Sequence, residues 1–249
     1  MQHLIYNLYN KIFMNSVENE ILKYLNNKNK IVFDVGCFRG SFTKKLIKYA
    51  HKLEIKSNFF LFDPNPNVKN YLKTLLENNT IKYFNLALDN SNFQKKFYLN
   101  KFFEAVSSLN TITKDDTKWN ISRKIFMQIL QPFKKIESFS EINVHTQTLD
   151  NFCLEEKINN IDVLKIDTEG NELNVLKGAK KLLSENKVNL IYTEISESKK
   201  KFKEKEKNVI DFLNAYNFEL KKKYQIRSLS ILSGLRATDN LFVNRNLIH

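Results

Sequence analysis

The 249-residue chain holds only 5 glycines, 3 prolines, 2 cysteines and 1 tryptophan. So little glycine and proline excludes a long flexible linker. Cys37 and Cys153 are too few for a disulfide framework and lack metal-type spacing. A reducing, cytoplasmic setting is the simplest reading of that scarcity. There is no apolar run of the roughly 18 residues a transmembrane helix needs. The opening "MQHLIYNLYNKIFMNSVENEIL" has no basic leader and is broken by Asn and Lys, which makes it a poor secretory signal. Zinc-finger spacing and arginine-rich stretches with interleaved aromatics are also absent, so nucleic acid is disfavoured as a partner.

What is present suits one sizeable domain with an added arm. Hydrophobic residues make up 42% of the chain, enough for a full core. Leu4, Leu8, Ile12, Ile21, Leu22 and Leu25 recur at helical spacing, which predicts a helical arm over residues 1–29 ahead of a domain over 30–249. The net charge of +13 attracts anions in general. Its lysines are spread along the chain, and the runs Lys199–Lys207 and Lys221–Lys223 read as solvated faces.

Short apolar runs alternate with amphipathic ones. "KIVFDVG", "NFFLFDPNP", "TIKYFNLALD", "FQKKFYLN", "VHTQTLD", "IDVLKID", "VNLIYTEI", "FELKKKY" and "DNLFVN" read as strands. Helices are predicted over "SFTKKLIKYAHKL", "NVKNYLKTLLENN", "NELNVLKGAKKLLSEN" and "KEKNVIDFLNAYN". That alternation implies an α/β fold with a mainly parallel sheet covered on both faces, closed by a terminal antiparallel element. Residues 110–143 read as loop, helix and loop.

Acids fall at the carboxyl ends of successive strands: Asp34, Asp63, Asp89, Asp167 and Glu194. Open parallel sheets bind ligands at that edge, where strand order reverses. The first loop, "FDVGCFRGS", brackets a turn with Gly36 and Gly40 around Cys37 and Phe38. It lacks the second glycine of G-x-G-x-x-G and the Lys-Ser/Thr of a phosphate loop. With Asp34 ahead of it, the loop suits a ligand bearing an ammonium group, such as the methionine end of S-adenosylmethionine. Asp63 and Pro64 follow at about the 20-residue offset where an acid takes ribose hydroxyls. Ala87, Leu88 and Asp89 are then placed to flank the adenine.

These residues resemble the FkbM-type S-adenosylmethionine-dependent methyltransferases. The resemblance rests on "FDVGCFRGSFTKKL", "FDPNP", "LALDN", "SSL", "TLDNF", "IDVLKIDTEGNELNVLKGA" and "DNLFV", spread over roughly residues 30–245. It implies a Rossmann-like class I methyltransferase fold, a seven-stranded sheet with the last strand antiparallel. It also implies O-methylation of a small molecule or saccharide. Two departures stand out: Cys37 replaces the small Ala common at that place, and residues 110–143 exceed the family's usual connection, which the resemblance implies is an acceptor-binding insertion.

A hydroxyl acceptor must lose a proton during transfer, so a base helps. Asp167 and Glu169 stand where acceptor and methyl group should meet, and one of them is expected to take the proton or orient the hydroxyl. Lys165 shares a strand face with Asp167; it is either catalytic or a structural ion pair. His145 is a further candidate base. A divalent metal stays open because carboxylates cluster, although no ligand spacing asks for one. The competing readings are an RNA ribose methyltransferase and a non-catalytic cofactor-binding module.

Overall fold

The computed structural model describes residues 15–25, 29–52, 54–100, 107–109, 139–198, 201–225 and 235–247. The central sheet starts from β1 (Lys30–Val35), flanked in parallel by β2 (Ser57–Phe62) and then β3 (Ile81–Phe84). On its other side β1 pairs in parallel with β7 (Ile161–Ile166), and β7 with β8 (Val188–Ser198). β10 (Leu235–Asn244) runs antiparallel to both β8 and β9 (Phe218–Gln225). The order is β3-β2-β1-β7-β8-β10-β9, the expected seven-stranded sheet with its last strand in sequence reversed. Strand order reverses between β1 and β7.

Both faces are covered. All six residues of β7 are buried, as two-sided cover requires. One face carries α1 (Asn15–Leu22), α2 (Ser41–Lys52) and α3 (Val68–Tyr71). Phe42, Leu46 and Ala50 of α2 recur every four residues and seal a core with Val17 and Ile21 of α1 and Val32, Val163, Leu190 and Leu241 of the sheet. The other face carries α5 (Leu149–Glu155), α6 (Glu172–Lys177), α7 (Lys180–Ser184) and α8 (Phe202–Ala215), packed on Phe33, Phe62, Leu164, Ile191 and Phe242.

Several elements differ from the sequence reading. The helix predicted from Asn67 is two short pieces, α3 and α4 (Lys73–Leu76). The helix predicted from Asn171 breaks at Gly178, where an added Cβ would stand 2.1 Å from the Asp89 carbonyl oxygen. β3 and β4 (Ala87–Leu88) are separate strands, because β4 leaves the main sheet to pair with β6 (Phe139–Gln147). β6 also pairs with β5 (Gln94–Asn100), giving a second, three-stranded sheet. The run Val144–Asp150 is therefore strand only to Gln147. Thr148 then caps α5, its hydroxyl accepting from the Asn151 N–H at 3.2 Å. Residues 139–143, read as insertion, belong to β6. The rest of the 110–143 insertion and residues 1–14 of the arm lie outside the described residues.

At the amino end of the sheet one ion pair ties three strands. Lys30 Nζ lies 3.2 Å from Asp162 Oδ1. The Ile31 N–H donates to Asp162 Oδ2 at 2.9 Å, and Asn189 Nδ2 donates to Oδ1 at 3.2 Å.

Candidate active site

The turn after β1 is held from two sides. The Gly36 and Cys37 N–H groups both donate to the Phe62 carbonyl, at 2.9 and 3.1 Å. Gly36 adopts φ +73°, and a Cβ there would stand 1.8 Å from the Asp167 carbonyl oxygen. No side chain fits between these two turns. Phe38 is also left-handed, with φ +43°. This conformation aims its N–H at Asp63 Oδ2, 3.0 Å away.

Asp63, at the end of β2, accepts one backbone donor on each oxygen, from Phe38 and, at 3.0 Å, from Asn65. Burial raises its carboxyl to about 6, although those two N–H donors favour the anion. Pro64 beside it is half-buried. The Asn65 side chain is 2% exposed, and its Nδ2 donor has no hydrogen-bond partner among the described residues. A buried amide donor beside an acid with remaining lone pairs fits a ligand that offers hydroxyls and ring nitrogens.

Asp34 and Lys165 are register partners on β1 and β7. Lys165 Nζ donates to the Gly36 carbonyl at 2.8 Å and lies 3.0 Å from Asp34 and 3.4 Å from Asp167. Thr43 Oγ1 donates to the second Asp34 oxygen at 2.7 Å. Burial opposes charge on Lys165, but Asp34 and Asp167 outweigh it and hold the amine protonated. Lys165 is a clamp between the two turns. Asp167 differs: its side chain is 33% exposed, while burial and the nearby Glu172 raise its carboxyl.

Glu169 sits in a left-handed conformation with φ +52°, followed by Gly170 at +112°. Its carbonyl accepts from Ser108 Oγ at 2.9 Å. The organiser of this turn is Glu172, 1% exposed. Its Oε1 accepts from the Gly170 N–H at 2.7 Å and from the Thr168 N–H and hydroxyl at 3.3 and 3.2 Å. Lys205 balances its other oxygen at 3.0 Å. Sequence reasoning missed both. Glu172 stands two residues past "TEG", a spacing that suits an acid closing its own turn. Lys205 was read as part of a solvated lysine run, yet it reaches in to Glu172 and to the Ser196 carbonyl at 3.0 Å.

The remaining candidates are placed as follows. Ala87, Leu88 and Asp89 are all buried. Asp89 accepts from Asn171 Nδ2 at 3.2 Å and pairs with Lys95, so its carboxylate ties the small sheet to the start of α6. Cys37 is buried, and burial, with Asp63 and Asp34 near, pushes its thiol well up, which leaves it an unreactive wall. Gly40 turns into α2 with φ +68°, packed against Leu75 and Leu72. His145 is exposed on β6, in the small sheet rather than the main sheet that carries the clamp. Among the described residues no group of three or more His, Cys, Asp or Glu is arranged to hold a metal ion. No helix among them is long and apolar enough to cross a membrane. Both cysteines are free.

Known proteins resemble this chain in sequence and fold. The family described as methyltransferase FkbM domain matches residues 34–220. The 2-O-methyltransferase NoeI of Sinorhizobium fredii (strain NBRC 101917 / NGR234) is 24% identical over 184 residues, 73% of this chain and 69% of its own. The crystal structure of methyltransferase FkbM from Methylobacillus flagellatus KT superposes with a TM-score of 0.50 at 12% identity. That match covers 86% of this chain but only 44% of the other, so this chain spans under half the length of that protein.

Proposed function

Because the chain belongs to the methyltransferase FkbM domain family, we propose that it is an S-adenosylmethionine-dependent O-methyltransferase. Its acceptor would be a hydroxyl on a saccharide or other small molecule. The observation that carries this reading is the Asp34–Lys165–Asp167 clamp, which joins a donor-type turn to an acid-bearing turn where strand order reverses. Similarity to a protein named a 2-O-methyltransferase supports oxygen as the acceptor atom.

The cofactor would supply an activated methyl group on a sulfonium. Asp34, Gly36, Cys37, Phe38 and Gly40 would form the wall against its amino-acid end. Asp63 and Asn65 would hold its ribose, and the Ala87–Asp89 segment would flank its adenine. On the acceptor side, Asp167 is the half-exposed acid that orients the hydroxyl, and Glu169 frames the turn. Lys165 acts on geometry: fixing both turns aligns acceptor oxygen with methyl carbon, which lowers the barrier through orientation. An edge lined by Asp167, Glu169 and Glu194 repels phosphate, which favours a neutral, hydroxyl-rich acceptor over a nucleic acid.

Two measurements test this. Isothermal titration with S-adenosylmethionine is expected to show one site per chain; no binding removes the reading. A screen with labelled methyl donor against methyl glycosides, sugar nucleotides and envelope glycans is expected to label an oxygen. Label found only on RNA would replace the saccharide reading with the ribose one.

A further inference from the structure

Beyond Asp167, the same face of the sheet carries two more acids in direct opposition. Glu194 of β8 and Asp239 of β10 are register partners across the antiparallel pair. Directly opposed residues hold their Cβ atoms about 5 Å apart, where two like charges destabilise the pairing. Asp239 is 6% exposed and Glu194 half-buried, so water screens the pair little. Tyr192, two residues back on β8, hydrogen-bonds Asp239. Tyr224 of β9 is the register partner of Asp239 on its other side.

An independent observation comes from α1. Glu18 packs onto this face fully buried, and neither of its oxygens has a hydrogen-bond partner among the described residues. The nearest cation among the described residues, Lys45, stands 3.9 Å away. Its charge acts on Asp239. The charge of Asp167 acts on both members of the pair, and those of Glu169 and Glu172 act on Glu194. Lys165 is the cation nearest the pair among these groups, and it is already clamped between Asp34 and Asp167. Among the described residues acids outnumber cations here, and a proton is the simplest counter-charge.

We propose that the Glu194–Asp239 pair is the base that removes the acceptor proton, with Glu194 on the open side and Asp239 behind it. The proposal rests on the methyl-transfer reading above. The acceptor oxygen forms its bond to the methyl carbon while the carbon–sulfur bond breaks, its electron pair returning to sulfur. The acceptor O–H proton passes to Glu194 as the proton Glu194 already holds moves to Asp239. The pair goes from one proton to two, and water later takes the second. Burial and Asp167 raise Asp239 to about 7, and burial with Asp167 and Asp239 holds Glu194 well above its ordinary value. A pair so placed accepts a proton near neutral pH, where a general base is most effective.

The test uses the full chain. In wild type, turnover on an acceptor found by the screen is expected to rise with pH through about 7. Asp239→Asn and Glu194→Gln should each lower turnover roughly 100-fold and abolish that rise, and the double variant should be no worse than either single, as for groups acting as a unit. S-adenosylhomocysteine affinity should stay unchanged in all three. Glu18→Gln, which removes a like charge, should move the rise to lower pH. The exchanged pair Glu194→Asp with Asp239→Glu should recover part of the rate. Carbon-13 carboxyl titration of the S-adenosylhomocysteine complex, which needs no acceptor, should show an aspartate signal near pH 7 that vanishes in Asp239→Asn. Both carboxyls ionised by about pH 5, or single variants retaining a third of wild-type turnover, would overturn the pair's role alone. Wild type that binds no S-adenosylhomocysteine would overturn the methyl-transfer reading beneath it.

Discussion

The two ends of the parallel strands handle charge in opposite ways. At the amino end, Asp162 meets Lys30, the Ile31 N–H and Asn189, so each charge is matched. At the carboxyl end, among the described residues, Asp34, Asp167, Glu194, Asp239 and Glu18 share Lys165 and Lys45. On the proposed reading, balance at one end belongs to what holds the sheet and acid excess at the other to what acts on a ligand. Unpaired buried charge costs stability, and a fold keeps it where chemistry needs a raised carboxyl.

The comparison breaks most visibly at the balanced end. Asp162→Ala would leave Lys30 buried without its partner and is expected to cost about 3 kcal/mol in a urea titration. Turnover per folded molecule should not change. At the acidic end the pattern inverts. Asp167→Asn should lower turnover at least about 100-fold, roughly 2.7 kcal/mol of barrier. Its urea midpoint should hold steady or rise, since an acid leaves a crowd of acids. A variant with near-normal methyl transfer would remove Asp167 from the mechanism.

Glu18 sharpens the contrast through pH. Burial raises its carboxyl from 4.5 to about 7. The folded chain therefore keeps a proton that the unfolded chain releases over that window, and stability falls as pH climbs through it. Glu18→Gln should remove that penalty, raising stability at pH 8 by about 1–2 kcal/mol with little change at pH 4. Equal effects at both pH values would show that the carboxylate is not the source. The smallest effect is expected at Thr43→Val, which removes the 2.7 Å hydrogen bond to Asp34. About 1 kcal/mol should be lost, with a weaker S-adenosylmethionine affinity by calorimetry.

Much of this was legible beforehand because strand-end acids and turn glycines are local signals. Asp34, Gly36, Asp63 and Asp167 announce themselves by standing where an apolar run stops. The main sheet followed from the alternation of strands and helices. Cross-strand partnership is not local. Glu194 was visible as a strand-end acid, and Asp239 as part of "DNLFV", but only β8–β10 pairing puts them face to face. Lys205 was hidden for the opposite reason: its neighbours Lys203 and Lys207 are exposed, and one turn of helix sends it inward instead. The departure of β4 from the main sheet depends on β6, more than fifty residues later, and no window along the chain contains both.

Gly36 pressed against the Asp167 carbonyl has a consequence for how such a protein can diversify. The Gly36 turn and the Asp167 turn share a wall one hydrogen atom thick, so neither can be remodelled without moving the other. A library randomised at position 36 should return glycine almost alone. On the proposed reading, variation in the acceptor is pushed outward, to the rim of β8 and β10 and to α1, where side chains can change shape without disturbing the alignment of the methyl group.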